Sequence, residues 1–448
     1  MQGRHAMGHV PGLDGLRGIA VMGVLVFHAN ARLRGGYLGV DLFFVLSGFL
    51  ITSILIEEHR ATGAVDLRRF WVRRARRLMP ALLSLMPAIA LYAKIFARPA
   101  ELAALRGDAL ATIGYVANWR AIFVHRSYWD MFLAPSPLEH TWSLAIEEQF
   151  YVVWPLAVAA ILARARGTVR GARAVCGVSV VLAVASAATM ALLYEGGNTS
   201  RIYLGTDTRG AAILLGAALA TSGLTTRPEN PSARAERWLD VVALGSMLYL
   251  AAAWWWLDGQ SELLYRGGFW TTEVAALVLI VASVRAPGGM VARLLSLRPL
   301  RAMGAISYGV YLWHWPIYCV LTEERVGLGG ARLLALRLAL TIAVASVSYR
   351  FLEQPIRQRG LSWGRPVIVV PASFVLAIAF VIGATQGAVA APADPLAAGK
   401  EGAIVFTPAS ATAPVAPPDA APLADAGTPM KVLVVGDSVG IALGGRMG

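Results

Sequence analysis

Apolar residues run through this chain in stretches of roughly twenty, the length a helix needs to cross a bilayer's hydrocarbon core, with polar joints between them. The stretches lie near 12–31, 38–57, 79–97, 108–124, 142–163, 174–194, 209–222, 238–257, 268–284, 304–322, 331–350 and 366–390. The one at 108–124 is short and ends in Asn118, Trp119 and Arg120. It is expected to be re-entrant or interfacial, which leaves about eleven spans of an all-α polytopic membrane protein.

Setting that segment aside puts the basic clusters on one side of the membrane. These are Arg68, Arg69, Arg73, Arg74, Arg76 and Arg77; Arg164, Arg166, Arg170 and Arg173; Arg227, Arg234 and Arg237; Arg293, Arg298 and Arg301; and Arg357 and Arg359. Joints rich in arginine stay in the cytoplasm, so the N-terminus is expected inside and the C-terminus outside a cytoplasmic membrane. After residue 390 the pattern breaks into an Ala/Pro-rich stretch that cannot build a core and reads as an extracytoplasmic linker. Lys431–Val435 is then a β-branched run leading into Gly436, Asp437, Ser438 and Val439, a strand followed by a turn. The expected organisation is a membrane domain over 1–360, a further helix over 361–390, the linker over 391–430 and the start of an α/β domain over 431–448.

Composition agrees with this. The 448 residues are 57% hydrophobic and mean hydropathy is +0.59, which excludes an ordinary soluble domain. The net charge of +13 is nearly all arginine, with lysine only at Lys94, Lys400 and Lys431. In a soluble protein such a charge would suggest nucleic acid; here it reports topology, and no nucleic-acid partner is expected. Cys176 and Cys319 sit in separate apolar runs with no disulfide or metal spacing. Asp14 and Arg17 interrupt the first run and no cleavage site follows before the second, so the first helix is expected to be retained.

Ionisable residues inside such stretches are costly, and each is a candidate site residue, with packing as the alternative. Arg17 and His28 are eleven residues apart, which returns to within roughly 20° of one helix face about 16 Å further along. Arg17 suits a phosphate and His28 a proton. In FWVRRARRLMP, from Phe70 to Pro80, the arginines serve either as a positive anchor or as bidentate grips on the phosphates of a nucleotide-bearing donor. In HTWSLAIEEQFY, His140, Ser143 and Glu147 share one face if helical, where a carboxylate can orient a histidine or activate a hydroxyl. The alternative is a wet interfacial loop.

Together these segments resemble the acyltransferase-3 family of membrane acyltransferases, from about Pro11 to Pro355. The pieces are GLDGLRGIAVMGVLVFHAN, GVDLFFVLSGFLI from Gly39, FWVRRARRLMP, HTWSLAIEEQFYVVWP, YLGTDTRGAAILLGAALA from Tyr203, ISYGVYLWHWPI from Ile306 and FLEQPIR from Phe351. The resemblance implies Arg17 and His28 as the essential pair, with Arg73, Arg74, Arg76 and Arg77 contributing with Arg17 to an acyl-coenzyme A site. It also implies Glu147 as part of a third motif. His314 matches a further motif, with packing between aromatic neighbours as the other reading. The C-terminal GDSV resembles the first block of an SGNH esterase domain, in which Ser438 would be the nucleophile. The blocks that would activate Ser438 are not in this chain, so a working SGNH site is not expected, and the chain looks like a fragment, a truncated gene model or a degraded fusion.

The resulting expectation is an enzyme that moves an acyl group, acetyl by resemblance, from cytoplasmic acyl-CoA to hydroxyls of a cell-envelope polysaccharide, peptidoglycan or glycolipid, without a metal. His28 is expected to act as base or acyl carrier, oriented by Glu147. The rivals are a secondary transporter of an acylated or anionic metabolite, whose internal repeats and broken helices the sequence lacks, and a structural or sensing protein, which has no need of an aligned Arg17 and His28.

Overall fold

A backbone in hydrocarbon must satisfy its own hydrogen bonds, and a helix does so within one segment. The computed structural model describes residues 9–29, 33–129, 136–165, 167–196, 199–227, 232–359 and 366–387. Its long helices are α1 (Pro11–His28), α2 (Gly39–Thr62), α3 (Leu67–Ile95), α4 (Trp142–Arg164), α5 (Thr168–Leu192), α6 (Thr206–Thr221), α7 (Ala233–Trp256), α8 (Phe269–Arg285), α9 (Arg298–Val320), α10 (Gly330–Ser348) and α11 (Pro366–Ala384). No strand occurs among the described residues. The Ala/Pro stretch and the GDSV turn with Ser438 lie outside them.

Among the described residues, seven helices are long and apolar enough to cross a membrane, built on α2, α3, α4, α5, α7, α8 and α10. Ile368–Ala384, in α11, is a shorter apolar helix. The architecture is therefore all-α and polytopic. Helices α1, α6 and α9 fall outside this set for a physical reason. They carry Asp14, Arg17, Arg209, Arg301 and His314, and such groups are tolerated where protein surrounds them; α6, at 16 residues, is short as well. The segment expected to be re-entrant is two short helices, Leu102–Ile113 and Ala117–Phe123, with the chain turning between them through Tyr115 at φ 54°.

Helices in lipid gain little from burying apolar surface against one another, so close packing through small residues decides which pairs form. Helix α1 packs along α9 this way: a Cβ on Gly304 would collide with the Asp14 carbonyl, and one on Gly18 with the Leu300 carbonyl. Gly48 of α2 and Gly216 of α6 meet the opposing backbone as closely. The α1–α9 pair brings Arg17 near Ser307 at one level and His28 against His314 at another. In contrast, α5 and α7 carry exposed apolar residues such as Val181 and Leu248, the faces a bilayer would cover.

Candidate functional site

Five helices line a cleft that is open on one side. Its polar lining includes Arg17 of α1, Ser47 of α2, Arg74 and Arg77 of α3, Ser143, Glu147 and Tyr151 of α4, and Ser307, Tyr308 and Tyr311 of α9. Val40, Phe43, Phe44, Leu46 and Leu50 form an apolar wall on α2. Helix α3 begins at an Asp66 N-cap whose carboxylate accepts from the Arg69 N–H at 2.8 Å. It is pinned to α4 where Trp71 Nε1 donates to the Tyr151 carbonyl at 3.0 Å, and to α9 where the Tyr308 hydroxyl donates to the Leu78 carbonyl at 2.9 Å. These ties turn Arg74 and Arg77, one helical turn apart, into the cleft.

Among the described residues Glu147 is the only carboxylate lining this cleft, and it accepts from Ser47 Oγ at 2.7 Å, which in turn accepts from the Tyr151 hydroxyl at 3.0 Å. Among the described residues none of Arg17, Arg74 and Arg77 has an ion-pair partner. Arg74 lies over the Tyr151 ring, 5.0 Å from its centroid. Among the described residues the cleft lining carries three guanidiniums and one carboxylate, with Glu148 close enough to act on Arg74 and Arg77 and Glu353 on Arg77; the lining itself keeps a positive excess that suits an anionic ligand.

The wall of the cleft at Tyr311 and Ser143 leads to three buried histidines. The Tyr311 hydroxyl shares a 2.6 Å hydrogen bond with Ser143 and reaches the His140 carbonyl at 3.0 Å. Pro316 has no N–H, so the Leu312 carbonyl loses its partner within the helix; His140 Nε2 takes it at 3.1 Å. His314 Nδ1 lies 2.5 Å from the Tyr311 carbonyl, and its Nε2 lies 2.8 Å from His28 Nδ1. The His28 and His314 rings lie within 22° of parallel with centroids 5.0 Å apart, and His28 Nε2 is 3.5 Å from the Tyr128 hydroxyl. Among the described residues no group of His, Cys, Asp and Glu is arranged to hold a metal ion.

The family's acyltransferase domain matches residues 10–385, which takes in the cleft and the histidines. The chain belongs to this acyltransferase family. Relatives include YrhL of Bacillus subtilis strain 168, assigned provisionally as a peptidoglycan O-acetyltransferase, 41% identical over 370 residues, 81% of this chain and 57% of that protein. The peptidoglycan O-acetyltransferase OatA of Listeria monocytogenes is 38% identical over 362 residues, 80% of this chain and 57% of the relative. The O-acetyltransferase OatA of Staphylococcus aureus is 38% identical over 356 residues, covering 79% and 58%. The chain thus spans less than two thirds of the length of these relatives. No solved structure matches it.

Within this acyltransferase domain the residues singled out in the sequence divide. Arg17, Arg74, Arg77 and Glu147 meet in the cleft. Arg73 and Arg76 do not: both are exposed, and Arg73 pairs with Glu58 at 3.3 Å. Arg17 and His28 lie on one helix as expected, but at separate features, the cleft and the histidine cluster. The expected orientation of His28 by Glu147 gives way to a different partner, because Glu147 bonds to Ser47 and His28 is held by His314. Tyr128, Tyr311 and Ser47 were not singled out; nothing in the local sequence marks them, since their contacts join distant segments.

One further polar group sits in the YLGTDTR motif. Arg209 of α6 donates to Asp41 of α2 at 2.7 Å with both side chains fully enclosed, and its guanidinium lies 4.0 Å from the Phe269 ring centroid. Removing one member of such a pair strands a charge, at about 3–5 kcal/mol. Arg209→Met is expected to lower the thermal midpoint of the purified protein by several degrees or prevent its accumulation, whereas adding Asp41→Leu recovers part of the loss. A single substitution with no shift in midpoint would contradict this.

Proposed function

We propose that this acyltransferase domain takes an acyl group, acetyl, from acyl-coenzyme A on the cytoplasmic side and passes it through the membrane to a hydroxyl of a cell-envelope glycan, peptidoglycan foremost. The observation that carries the reading is the set of unpaired guanidiniums of Arg17, Arg74 and Arg77 in one cleft, joined through α1 and α9 to the buried His28 and His314. Coenzyme A presents a pyrophosphate and a further phosphate, which planar guanidiniums bind in a bidentate way. The thioester end would extend along the apolar wall of α2 towards Tyr311.

Topology follows from charge. With α1 to α11 taken as eleven alternating spans, the arginine-rich joints α2–α3, α4–α5, α6–α7, α8–α9 and α10–α11 all fall on the cytoplasmic side. The cleft is then open to coenzyme A, and His28, at the end of α1, lies towards the outside. His28 acts as general base: it takes the proton of the attacking oxygen as that oxygen bonds to the acyl carbon, and returns it to the departing coenzyme A sulfur. The peptidoglycan assignment rests on the names of the relatives, of which this chain spans little more than half.

The test is transfer of label from radiolabelled acetyl-coenzyme A in membranes that contain the chain, with purified glycan or cell wall as acceptor. Label in the glycan, dependent on the chain and displaced by unlabelled coenzyme A, supports the reading. Absence of both transfer and coenzyme A binding in folded protein would overturn it.

A further inference from the structure

A carbonyl oxygen can only accept a hydrogen bond, so the 2.5 Å contact between His314 Nδ1 and the Tyr311 carbonyl places a proton on that nitrogen. Among the described residues the hydrogen bonds of His28 and His314 go to each other, to a phenol and to the backbone carbonyls of Tyr311 and Val310, not to a carboxylate. Both rings are enclosed, with His314 at 0% and His28 at 4% exposure. A buried ring without a counter-ion rests in its neutral form. The neutral His314 then has a lone pair on Nε2, and the 2.8 Å bond to His28 is a bond from His28 Nδ1–H to that lone pair. This leaves the lone pair of His28 on Nε2, 3.5 Å from the Tyr128 hydroxyl.

We infer that His314 is a positioning residue: held by the Tyr311 carbonyl, it fixes His28 with its proton on Nδ1, so that Nε2 is the nitrogen that takes a proton. The inference deepens the proposed function and rests on its assignment of His28 as base. An unconstrained imidazole favours the other tautomer, with its proton on Nε2, and in that form His28 has no lone pair to offer on the Tyr128 side. When Nε2 takes the proton of the attacking oxygen, the resulting imidazolium keeps its Nδ1–H bonded to His314, which accepts without becoming charged. The same step returns the proton to the thiolate as the acyl–sulfur bond breaks, so His314 ends as it began.

Two measurements test this. The first reads the tautomer in the wild-type chain, by ¹⁵N NMR of histidine-labelled protein in nanodiscs, with the His28 signals identified by their loss in His28→Gln. A protonated Nδ1 and an unprotonated Nε2 are expected; the reverse pattern overturns the inference whether or not the chain transfers acyl groups. The second compares His314→Gln, whose side-chain oxygen can accept where Nε2 did, with His314→Leu, which fills similar space without an acceptor. With acetyl-coenzyme A, His314→Gln is expected to keep the saturating rate within about tenfold and His314→Leu to lose about 100-fold or more, while the KM for acetyl-coenzyme A stays within about twofold for the glutamine variant. Equal rates for the two variants would mean that His314 only packs. Loss of transfer in wild type, with the expected tautomer intact, would instead remove the acyltransferase reading.

Discussion

Replacing His28 with alanine is expected to lower acyl transfer by about 1,000-fold or more, within the range a positioned acid–base group supplies, while acetyl-coenzyme A binding stays within about twofold. The separation of the two features on α1 is the reason. Arg17 lines the cleft, and His28 lies eleven residues on, about 16 Å at 1.5 Å per residue. Deleting the imidazole also leaves a cavity beside His314 and Trp315, which costs stability. His28→Gln keeps most of that volume and serves as the control. Both variants should fail in transfer while the glutamine variant keeps its thermal midpoint. Transfer within tenfold of wild type in either folded variant would sink the assignment. If both bind coenzyme A normally and neither transfers, the loss lies in the chemical step.

How much of this was legible in the sequence depends on distance along the chain. The relation between Arg17 and His28 is local, fixed by helical period once the segment is taken as a helix, and it holds. The arginines of α3 show where the period stops helping. Arg73 with Arg76 and Arg74 with Arg77 have the same one-turn spacing, and only the docking of Trp71 on Tyr151 and of Leu78 on Tyr308 decides which pair enters the cleft. His28 and His314 are 286 residues apart in sequence, and no local pattern links them. The sequence did hold a usable signal at Pro316. A proline two residues after a histidine in a buried helix frees the carbonyl at Leu312, and the freed acceptor needs a donor, which is His140.

The count of spans was harder to read for a related reason. Hydropathy recognises helices that carry a long apolar window, and α2, α3, α4, α5, α7, α8 and α10 pass that criterion, α2 although 72% of its apolar window is buried inside the protein. The helices that fail it include α1 and α9, which carry the two hydrogen-bonded histidines. A helix surrounded by other helices has no need of an apolar surface and can hold the costly groups that chemistry requires. In α1 and α9 low hydropathy and the buried histidines are thus one observation made twice, while Arg74, Arg77 and Glu147 of the cleft sit near the ends of α3 and α4, whose remaining length is apolar enough to pass.

The arginines supply the second large effect. Alanine at Arg17 or Arg77 is expected to raise the KM for acetyl-coenzyme A by about 10- to 100-fold, since a hydrogen bond to a charged group contributes about 1.5–3 kcal/mol and each 1.4 kcal/mol is tenfold. Alanine at Arg73 or Arg76 should change it by less than about threefold, because Arg73 is exposed and paired with Glu58 and Arg76 is exposed. The contrast of Arg77 with Arg73 and Arg76 within α3 controls for general charge, as each substitution removes one positive charge. It also separates a shaped site from diffuse attraction: Arg77→Lys keeps the charge and loses the planar fork, and should recover only part of the affinity. Raising ionic strength weakens exposed charges more than enclosed ones, so the wild-type KM should rise modestly with salt while the ratio between Arg77→Ala and Arg73→Ala persists. Equal effects at all four positions would mean that the arginines act as a topological anchor alone and that the phosphates of the donor bind elsewhere.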